Sequence, residues 1–349
     1  MASASSIFKI VAEYVWIDSD LNLRSKTKII DNYTKGCSIT DFPEWNFDGS
    51  STGQSVTKNS DLILNPVYYV PNPLIKNKYK NDNCSYYLVL CEVVGHKSNN
   101  YTELKTLFHK TLGDEPWFGI EQEYMLLDYE GQPLDQYLIN KEFEYKDNQH
   151  YCSTGTGKSM GREIVMEHMY ACIEAGIKIC GINSEVTPSQ WEFQIGPLYA
   201  LEMCNQLWLA RYILIQIAEY HNVTVTFHPK PFPHLNGSGA HTNFSTKAMR
   251  EDGGINEIYK AIDKLSKNHK QHIEVYGNHN EKRLIGTNET ANINTFSYGN
   301  CDRSSSIRIP VNVMEDKKGY LEDRRPAANM DPYLVVGRIL KTVIVECQT

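Results

Sequence analysis

The feature that most constrains this chain is the stretch 182–197, I-N-S-E-V-T-P-S-Q-W-E-F-Q-I-G-P. Its second half, W-E-F-Q-I, alternates apolar and polar side chains, which predicts a strand with one face in the core. Glu192 and Gln194 would lie on the polar face, and a turn at Pro188 would bring Glu185 towards the same space. A carboxylate beside a core strand is costly to desolvate unless a cation or hydrogen bonds compensate it. For a single Glu, a solvated strand face is a simpler interpretation than a cation-binding site. Recurrence of acidic residues in apolar strand patterns elsewhere in the chain decides between these two interpretations.

The rest of the chain predicts a β-rich beginning followed by mixed helices and strands. Alternation and β-branched residues predict strands at 9–18, 26–30, 61–69, 85–94, 116–128 and 223–228. Helical periodicity and glycine stops predict helices at 101–112, 159–175, 199–220, 256–269 and 332–346. A β-rich unit of roughly ninety residues, within the usual size of a domain, would end near residues 96–100. This order of elements indicates the α+β fold class.

Bulk composition excludes several classes of protein. The chain has 349 residues, and no apolar run approaches the ~20 residues that cross a membrane. A net charge of −7 argues against a general nucleic-acid surface. The N-terminus lacks the pattern of a secretory signal, and nine cysteines without C-x-x-C pairs indicate neither a disulfide framework nor a zinc site. We therefore expect a cytoplasmic protein without membrane or nucleic-acid partners.

Several acidic residues stand in settings that are unusual for surface charges. Glu121 and Glu123 are two apart in an apolar strand pattern, so both would lie on one face. His241 follows the glycine-rich segment N-G-S-G-A, which lets the backbone approach a ligand. Taken singly, each is better explained as a surface carboxylate or a hydrogen-bonded core histidine. Taken together, the candidate residues are oxygen-rich ligands that suit Mg²⁺ or Mn²⁺. They are Glu121, Glu123, Glu185, Glu192, His241, Glu289 and Glu322.

A group of arginines accompanies the acidic set. Arg283 precedes Glu289, and the motifs C-D-R-S-S-S-I-R-I-P and G-Y-L-E-D-R-R-P supply four more arginines. Guanidinium groups recognise phosphate or carboxylate through paired hydrogen bonds. Carboxylates that could hold divalent cations, together with these arginines, predict phosphoryl transfer. In that reaction, substrate positioning and charge neutralisation dominate catalysis.

One near-match to a nucleotide-binding loop is rejected. Residues 152–159, C-S-T-G-T-G-K-S, resemble G-x-x-x-x-G-K-[ST], but Cys152 occupies the first glycine position. Polar residues precede it where a phosphate-binding loop follows a buried strand. We interpret the segment as a loop that leads into a helix.

Seven motifs, in this order, make the chain similar to the eukaryotic-type (type II) glutamine synthetases over nearly its whole length. They are P-E-W-N-F-D-G-S-S-T, P-W-F-G-I-E-Q-E-Y, N-S-E-V-T-P-S-Q-W-E-F-Q-I-G-P, N-G-S-G-A-H-T-N-F-S-T-K-A-M-R, R-L-I-G-T-N-E-T, R-S-S-S-I-R-I-P and G-Y-L-E-D-R-R-P-A-A-N. None is specific alone, whereas the ordered set is.

The resemblance implies a β-grasp domain at residues 8–97 and a larger catalytic domain at residues 98–349, of the type shared with guanidino kinases. It implies a glutamate–ammonia ligase that uses ATP as co-substrate, Mg²⁺ or Mn²⁺ as cofactor and a γ-glutamyl phosphate intermediate. It also implies a homo-oligomer, a decamer of two pentameric rings with active sites between neighbouring subunits.

The motif positions also imply roles for individual residues. One metal ion would be held by Glu123, Glu185 and Glu192, and a second by Glu121, His241 and Glu322. ATP contacts would come from Trp117, Glu192, Gln194, Asn243, Phe244, Ser245, Arg303, Arg308 and Tyr320. Glutamate contacts would come from Glu185, Asn236, Gly237, His241, Arg283, Arg303 and Arg324. Catalytic roles would fall to Asp48, the ammonium base delivered by a neighbouring subunit, to Glu289 on a flap, and to Arg303 and Arg324.

Four features depart from the usual family pattern. The tetrapeptide H-L-N-G at 234–237 stands in place of N-W-N-G, Asn288 in place of a histidine and Asp302 in place of an asparagine, and the loop 276–281 is shorter. These changes leave two alternatives open: a related ligase for a different amine or acid, and a non-catalytic ring-forming homologue.

Overall fold

The computed structural model describes residues 8–32, 37–75, 79–95, 100–134, 150–155, 158–287 and 290–347. Within those ranges the chain forms a five-stranded sheet, an eight-stranded sheet and helices packed around them. This confirms the prediction of a mixed helix-and-sheet protein. The predicted boundary near residues 96–100 lies almost entirely outside the described residues.

The five-stranded sheet contains the first third of the chain. Its strands are β1 (Phe8–Ile17), β2 (Leu23–Asn32), β3 (Trp45–Asp48), β4 (Asp61–Pro71) and β5 (Cys84–Val93), in the spatial order β2-β1-β5-β4-β3. Strands β1 and β5 are parallel, and the other neighbours are antiparallel. Short 3₁₀ helices lie at Ile39–Asp41, Gly49–Thr52 and Thr57–Asn59. Four of these strands match the sequence prediction, whereas β3 was not predicted.

The eight-stranded sheet contains the rest of the strands. They are β6 (Trp117–Leu127), β7 (Ile179–Ser184), β8 (Gln190–Tyr199), β9 (Thr224–Thr226), β10 (Ala240–Ser245), β11 (Tyr298–Asn300), β12 (Ile307–Ile309) and β13 (Leu321–Asp323). Their order is β11-β12-β13-β10-β6-β8-β7, with β9 paired to β6. Strands β6 and β8 are antiparallel, as are β6 and β10. The centre of this sheet is therefore formed by the segments that carry the acidic motifs.

The helices lie between and beside the sheets. The α-helices are α1 (Tyr101–Thr111), α2 (Arg162–Glu174), α3 (Ala200–Tyr220), α4 (Lys247–Arg250), α5 (Ile255–Lys267), α6 (His269–Ile273), α7 (Val311–Asp316) and α8 (Pro332–Val343). Further 3₁₀ turns lie at Leu112–Asp114, Asn280–Lys282 and Val345–Cys347. None of the described helices has both the length and the apolar character needed to cross a membrane.

Helix α3 connects the two sheets. Its side chains are buried on nearly all sides, as expected for a helix in the middle of a core. One face of the five-stranded sheet, including Val15 and Leu90, belongs to the same hydrophobic cluster as this helix. Polar contacts add to the junction, because Gln206 Nε2 donates to Tyr68 Oη at 3.2 Å and Tyr212 Oη donates to a carboxylate oxygen of Glu13.

Two predicted helix limits were wrong. The helix predicted at 159–175 begins only at Arg162, because Gly161 has φ = 79°, a left-handed conformation that cannot continue a helix. The helix predicted at 332–346 ends at Val343. Its start agrees with the prediction: Asp331 accepts a hydrogen bond from Tyr333 N at 2.9 Å, and Pro332 occupies the first turn.

Candidate active site

The strand register of the large sheet brings the predicted acidic residues onto one face. Glu121 on β6 lies opposite Gln194 on β8 and opposite His241 on β10. Glu123 on β6 lies opposite Glu192 on β8. Cross-strand partners in an antiparallel pair project to the same side, so these five side chains share a surface. The apolar residues that alternate with them face the core and are buried.

Strand β13 adds the last of the acidic residues. Glu322 lies opposite Asn243 on β10 and opposite Arg308 on β12. Its side chain accepts hydrogen bonds from Arg308 Nη1 at 2.9 Å and from Arg324 Nη1 at 2.5 Å. Charge-assisted pairs of this kind fix the orientation of both partners. Glu322 is therefore held between two arginines at the edge of the acidic face.

Two groups of side chains offer ligand atoms that lie within 4.8 Å of one another. One consists of Glu121, His241 and Glu322, the same three residues that the resemblance implies for one metal ion. The other consists of Glu123, Glu192 and His241. Here the structure differs from the implied trio, because Glu185 belongs to neither group within the described residues. Glu185 instead accepts a hydrogen bond from Asn183 Nδ2 at 2.8 Å and lines the same cavity.

The electrostatics of these carboxylates are unfavourable without a cation. Burial and then the charge of neighbouring Glu123 raise the pKa of Glu185 to about 8. Burial and then the nearby carboxylates, Glu121 first, raise the pKa of Glu192 well above its ordinary value. Burial also raises the pKa of Glu123. Carboxylates crowded in this way resist ionisation, and a bound divalent cation would remove that penalty.

His241 is available as a neutral ligand. Burial and then the charge of Arg324 lower its pKa well below the ordinary value. Its Nδ1 lies 3.4 Å from Glu121 Oε2 and 3.7 Å from Glu322 Oε1, and its Nε2 lies 3.1 Å from Arg283 Nη2. Carboxylates with one neutral imidazole form a donor set that fits Mg²⁺ or Mn²⁺. The residues present therefore fit the metal that the resemblance implies.

A largely apolar cavity of about 410 Å³ opens on one side of the acidic face. Residues 117–121 of β6 line it, and the exposed ring of Trp117 supplies apolar surface. Six residues expected to contact ATP line it, namely Trp117, Gln194, Asn243, Phe244, Ser245 and Tyr320. The other three, Glu192, Arg303 and Arg308, line an adjoining acidic cavity of about 320 Å³. Glu121 and Gln194 line both cavities and join them.

A small polar pocket lies on the other side of the acidic face. It contains all seven residues expected to contact glutamate, namely Glu185, Asn236, Gly237, His241, Arg283, Arg303 and Arg324. Gly237 is required there because a Cβ would lie 2.6 Å from Pro229 O and 2.8 Å from Arg283 Cγ. Any larger residue would displace the arginine.

One predicted catalytic residue, Asp48, is not part of this cluster. Asp48 ends β3 in the other sheet, is exposed, and lines none of the three cavities described above. Hydrogen bonds from the hydroxyls of Ser50 and Ser51 lower its pKa, so it is a stable carboxylate. Glu289 and its neighbour Asn288 lie outside the described residues.

Sequence reasoning missed some residues of the site. The guanidinium of Arg250 lies 3.8 Å from the ring of Trp117, donates to Ser245 Oγ at 2.9 Å and lines the apolar cavity. It ends the same motif, N-F-S-T-K-A-M-R, that supplied three expected ATP contacts, so motif position could have identified it. Tyr151 and Cys180, which also line the cavities, carry no such signal.

Comparison with known proteins gives a consistent result. Residues 102–345 match the family described as Glutamine synthetase, catalytic domain. The chain is 48% identical over 340 residues to the glutamine synthetase of Tuber borchii, covering 96% of this chain and 92% of that protein. It is 46% identical over 348 residues to that of Saccharomyces cerevisiae, covering 96% and 89%.

A likeness in fold supports these sequence matches. The solved structure called "Apo GmaS without ligand" has a TM-score of 0.71 and 20% identity, and the match covers 97% of this chain and 79% of that chain. At that identity the likeness concerns the fold alone. The extent and identity of the sequence matches, however, leave no ambiguity: the chain belongs to the glutamine synthetase family.

Proposed function

We propose that the protein is a glutamate–ammonia ligase, which converts ATP, L-glutamate and ammonia into L-glutamine, ADP and phosphate. The observation that carries this proposal is the order of three features along one sheet face. A largely apolar cavity adjoins a carboxylate–imidazole cluster, which adjoins an arginine-lined pocket. That order suits a nucleotide base, its phosphates and an amino acid, with the phosphates beside the acceptor carboxylate.

The first chemical step would be phosphoryl transfer between the two substrates. An oxygen of the γ-carboxylate attacks the γ-phosphorus of ATP, the bond to the β-phosphate oxygen breaks, and ADP leaves. The product is γ-glutamyl phosphate. Arg303 and Arg308, which line the acidic cavity, would stabilise the charge on the transferring group.

Divalent cations would be held by the two residue groups described above. Glu121, His241 and Glu322 would hold one, and Glu123 and Glu192 another, with Glu185 near enough to contribute. When bound, Mg²⁺ or Mn²⁺ supplies charge neutralisation for the phosphate oxygens. Arg324 would orient Glu322 and contribute positive charge to the amino-acid pocket.

The second step needs ammonia rather than ammonium, because ammonium has no lone pair. Asp48 from a neighbouring subunit would take the proton, and ammonia would attack the acyl carbon while phosphate leaves. Glu289 would add negative charge and exclude water from the acyl phosphate. Because Asp48 lines none of the three cavities of its own chain, this role requires a neighbouring subunit.

This assembly would be a decamer of two pentameric rings in the cytoplasm. The five-stranded sheet would be a β-grasp domain at residues 8–97, packed by α3 against a catalytic domain at residues 98–349. The support is the family match and the separate sheet, with its own hydrophobic cluster, that carries Asp48. Sedimentation velocity of the purified protein tests the decamer directly.

The part of the chain that the structure describes gives no reason to prefer an altered substrate or a non-catalytic role. Leu235 is 2% exposed and packs with Met125 and Leu127 in a small hydrophobic cluster. The departure at this position is therefore accommodated in the core. A scaffold protein would have no need for crowded, buried carboxylates, which are costly to maintain.

Phosphate release is the test of the proposed function. The purified protein is incubated with ATP, glutamate and Mg²⁺, with and without ammonium, and a panel of other amines and acids runs in parallel. We expect ammonium-stimulated phosphate release together with formation of glutamine. Absence of that stimulation rejects the proposal, and a higher kcat/KM for another amine or acid would favour the altered-substrate alternative.

A further inference from the structure

A chain of buried hydrogen bonds lies directly behind the site. Tyr276 Oη donates to Asp323 Oδ2 at 2.6 Å, and His272 Nδ1 lies 2.6 Å from the same hydroxyl. His272 Nε2 lies 2.9 Å from Thr342 Oγ1. Tyr276, His272 and Asp323 are fully buried and Thr342 is 1% exposed. None of these four residues lines the cavities described above.

The donor–acceptor direction of these hydrogen bonds follows from Asp323, the residue at which they end. The Asp323 carboxylate only accepts, so the Tyr276 hydroxyl donates to it and its oxygen accepts a hydrogen bond from His272 Nδ1–H. His272 Nε2 then accepts from the hydroxyl of Thr342. Burial and then Arg325 lower the pKa of His272 to about 2, which keeps the imidazole neutral, as this arrangement requires. Every polar group in the chain has a partner, so it is rigid.

This series of hydrogen bonds ends at Asp323 on β13, the strand that also carries Glu322 of the site. Along β13 and the residue after it, Arg324 lines two of the cavities and pairs with Glu322 on that side, whereas Asp323 faces the interior. The interior side is closed by Arg325, which donates to both oxygens of Asp323 at 2.8 and 2.7 Å. Strand β13 has only three residues, so its ladder of backbone hydrogen bonds is short. Side-chain hydrogen bonds, such as those to Asp323, must therefore contribute much of what holds β13 in place.

The backbone next to Asp323 also holds Arg283, an arginine of the amino-acid pocket. Arg283 Nη2 donates to the carbonyl of Arg324 at 3.1 Å, and Arg283 Nη1 donates to the carbonyl of Arg325 at 3.4 Å. The backbone nitrogen of Ala327 donates to the carbonyl of Tyr276 at 2.9 Å. The position of the Arg283 guanidinium therefore depends on the backbone that the buried chain holds.

We propose that Tyr276 and His272 are positioning residues for the amino-acid pocket. They act through Asp323, which fixes the backbone carbonyls that hold Arg283. Neither residue touches substrate. Because the pocket is assigned to glutamate, this inference rests on the proposed function, although the anchoring itself does not.

The test uses Tyr276→Phe in the full-length assembled protein. This change removes one hydroxyl and keeps the ring, so the fold should be retained. Tyr333→Phe is the matched control: that tyrosine is 2% exposed, and its hydroxyl donates to Asn205 Oδ1 at 2.7 Å, away from the three cavities. Two quantities are measured, namely hydrogen–deuterium exchange of residues 321–327 and the KM for glutamate and for ATP.

We expect faster exchange of residues 321–327 in Tyr276→Phe than in Tyr333→Phe. We also expect KM for glutamate to rise roughly tenfold, the scale of one lost hydrogen bond to a charged group, while kcat and the KM for ATP stay within about twofold. His272→Asn, which can still donate at the Nδ1 position, should restore most of the affinity that His272→Ala loses.

The outcomes separate the two proposals. If the wild-type protein shows no ammonium-stimulated phosphate release, the proposed function fails, and hydrogen exchange still decides whether the buried chain anchors β13. If the wild type is active but exchange in the two variants is the same, the inference is overturned. It is equally overturned if exchange rises while KM for glutamate is unchanged.

Discussion

Strand β13 and the two residues after it carry two pairs of charges that face opposite sides and differ in how they are compensated. On the buried side, Arg325 donates two hydrogen bonds to Asp323 and Tyr276 donates a third. Burial alone would raise the pKa of Asp323, but the charge and hydrogen bonds of Arg325, together with the hydrogen bond from Tyr276, bring that pKa below its ordinary value. On the cavity side, Glu322 also meets arginines, but it stands beside carboxylates whose pKa values are raised.

This difference separates a structural role from a functional one. The buried pair is complete and needs no ligand, so removing one partner should cost stability. The carboxylates of the acidic face are incomplete without a cation, so neutralising one of them should cost activity and leave the metal-free fold intact. Asp323 and the crowded carboxylates of the acidic face should therefore respond to mutation in opposite ways.

The largest effect on stability is expected for Asp323→Asn. The variant leaves the buried Arg325 without its anion, which typically costs about 3–5 kcal/mol of unfolding free energy. Urea denaturation followed by fluorescence measures it. Lys267→Met is the control, because its exposed pair with Asp263 at 2.6 Å should contribute about 1 kcal/mol or less. Equal losses in the two variants would contradict the structural role of the buried pair.

Glu192→Gln should have the opposite effect to Asp323→Asn: it should lower activity and leave the stability of the metal-free protein intact. We expect kcat/KM to fall at least about a hundredfold, since loss of even a supporting residue around a metal costs 10–100-fold. The unfolding free energy in chelator should stay the same or rise, because the raised pKa of Glu192 marks an unfavourable charge. Glu167→Gln, which alters an exposed partner of His221, controls for surface charge. A metal-free Glu192→Gln that unfolds more easily would refute the functional assignment.

The pH dependence of stability sharpens the comparison. Glu185 has an ordinary pKa of 4.5 and a folded value of about 8, so the folded state binds the proton more tightly. Its contribution to stability is complete below pH 4.5 and is lost as pH rises towards 8. In chelator, wild-type stability should therefore fall between pH 6 and 8, by at most about 1.4 kcal/mol per pH unit from this group.

Glu185→Gln should reduce that slope, and saturating Mg²⁺ should reduce it in the wild type, because a bound cation favours the ionised carboxylate. Thermal unfolding in chelator and in Mg²⁺ measures both. Identical slopes in wild type and variant would show that Glu185 is not the titrating group.

The smallest effect is expected at the apolar cavity. Arg250→Gln removes a guanidinium stacked on Trp117, and we expect KM for ATP to rise roughly threefold to tenfold with little change in kcat, consistent with a cation–π contact of ~1 kcal/mol. Arg162→Gln is the matched control, because Arg162 lies 5.0 Å from the ring of Trp191 but does not line this cavity. In steady-state kinetics the KM for ATP of Arg162→Gln should equal that of the wild type. A similar rise in this KM in both variants would reject a specific role for Arg250.

Much of the acidic face could be predicted from sequence because its strands are long and alternate cleanly. Glu121, Glu123 and Glu192 sit in such strands, so their common face followed from a period of two. The three-residue strand β13 gives no such signal in E-D-R-R, where four charges follow one another. Which of them face the cavity depends on pairing with β10 and β12, segments about 80 and 14 residues away in sequence. Register across such distances is fixed by packing.

Direct measurement of metal binding tests the central claim, that the acidic face is built for divalent cations. Mn²⁺ is titrated into chelator-treated protein and followed by electron paramagnetic resonance, for the wild type, Glu192→Gln and Asp323→Asn. Wild type should bind saturably, with up to two ions for the two ligand groups. Glu192→Gln should lose at least one site, and folded Asp323→Asn should bind at least one ion. Wild-type protein without saturable binding, or Glu192→Gln with undiminished binding, would contradict the account.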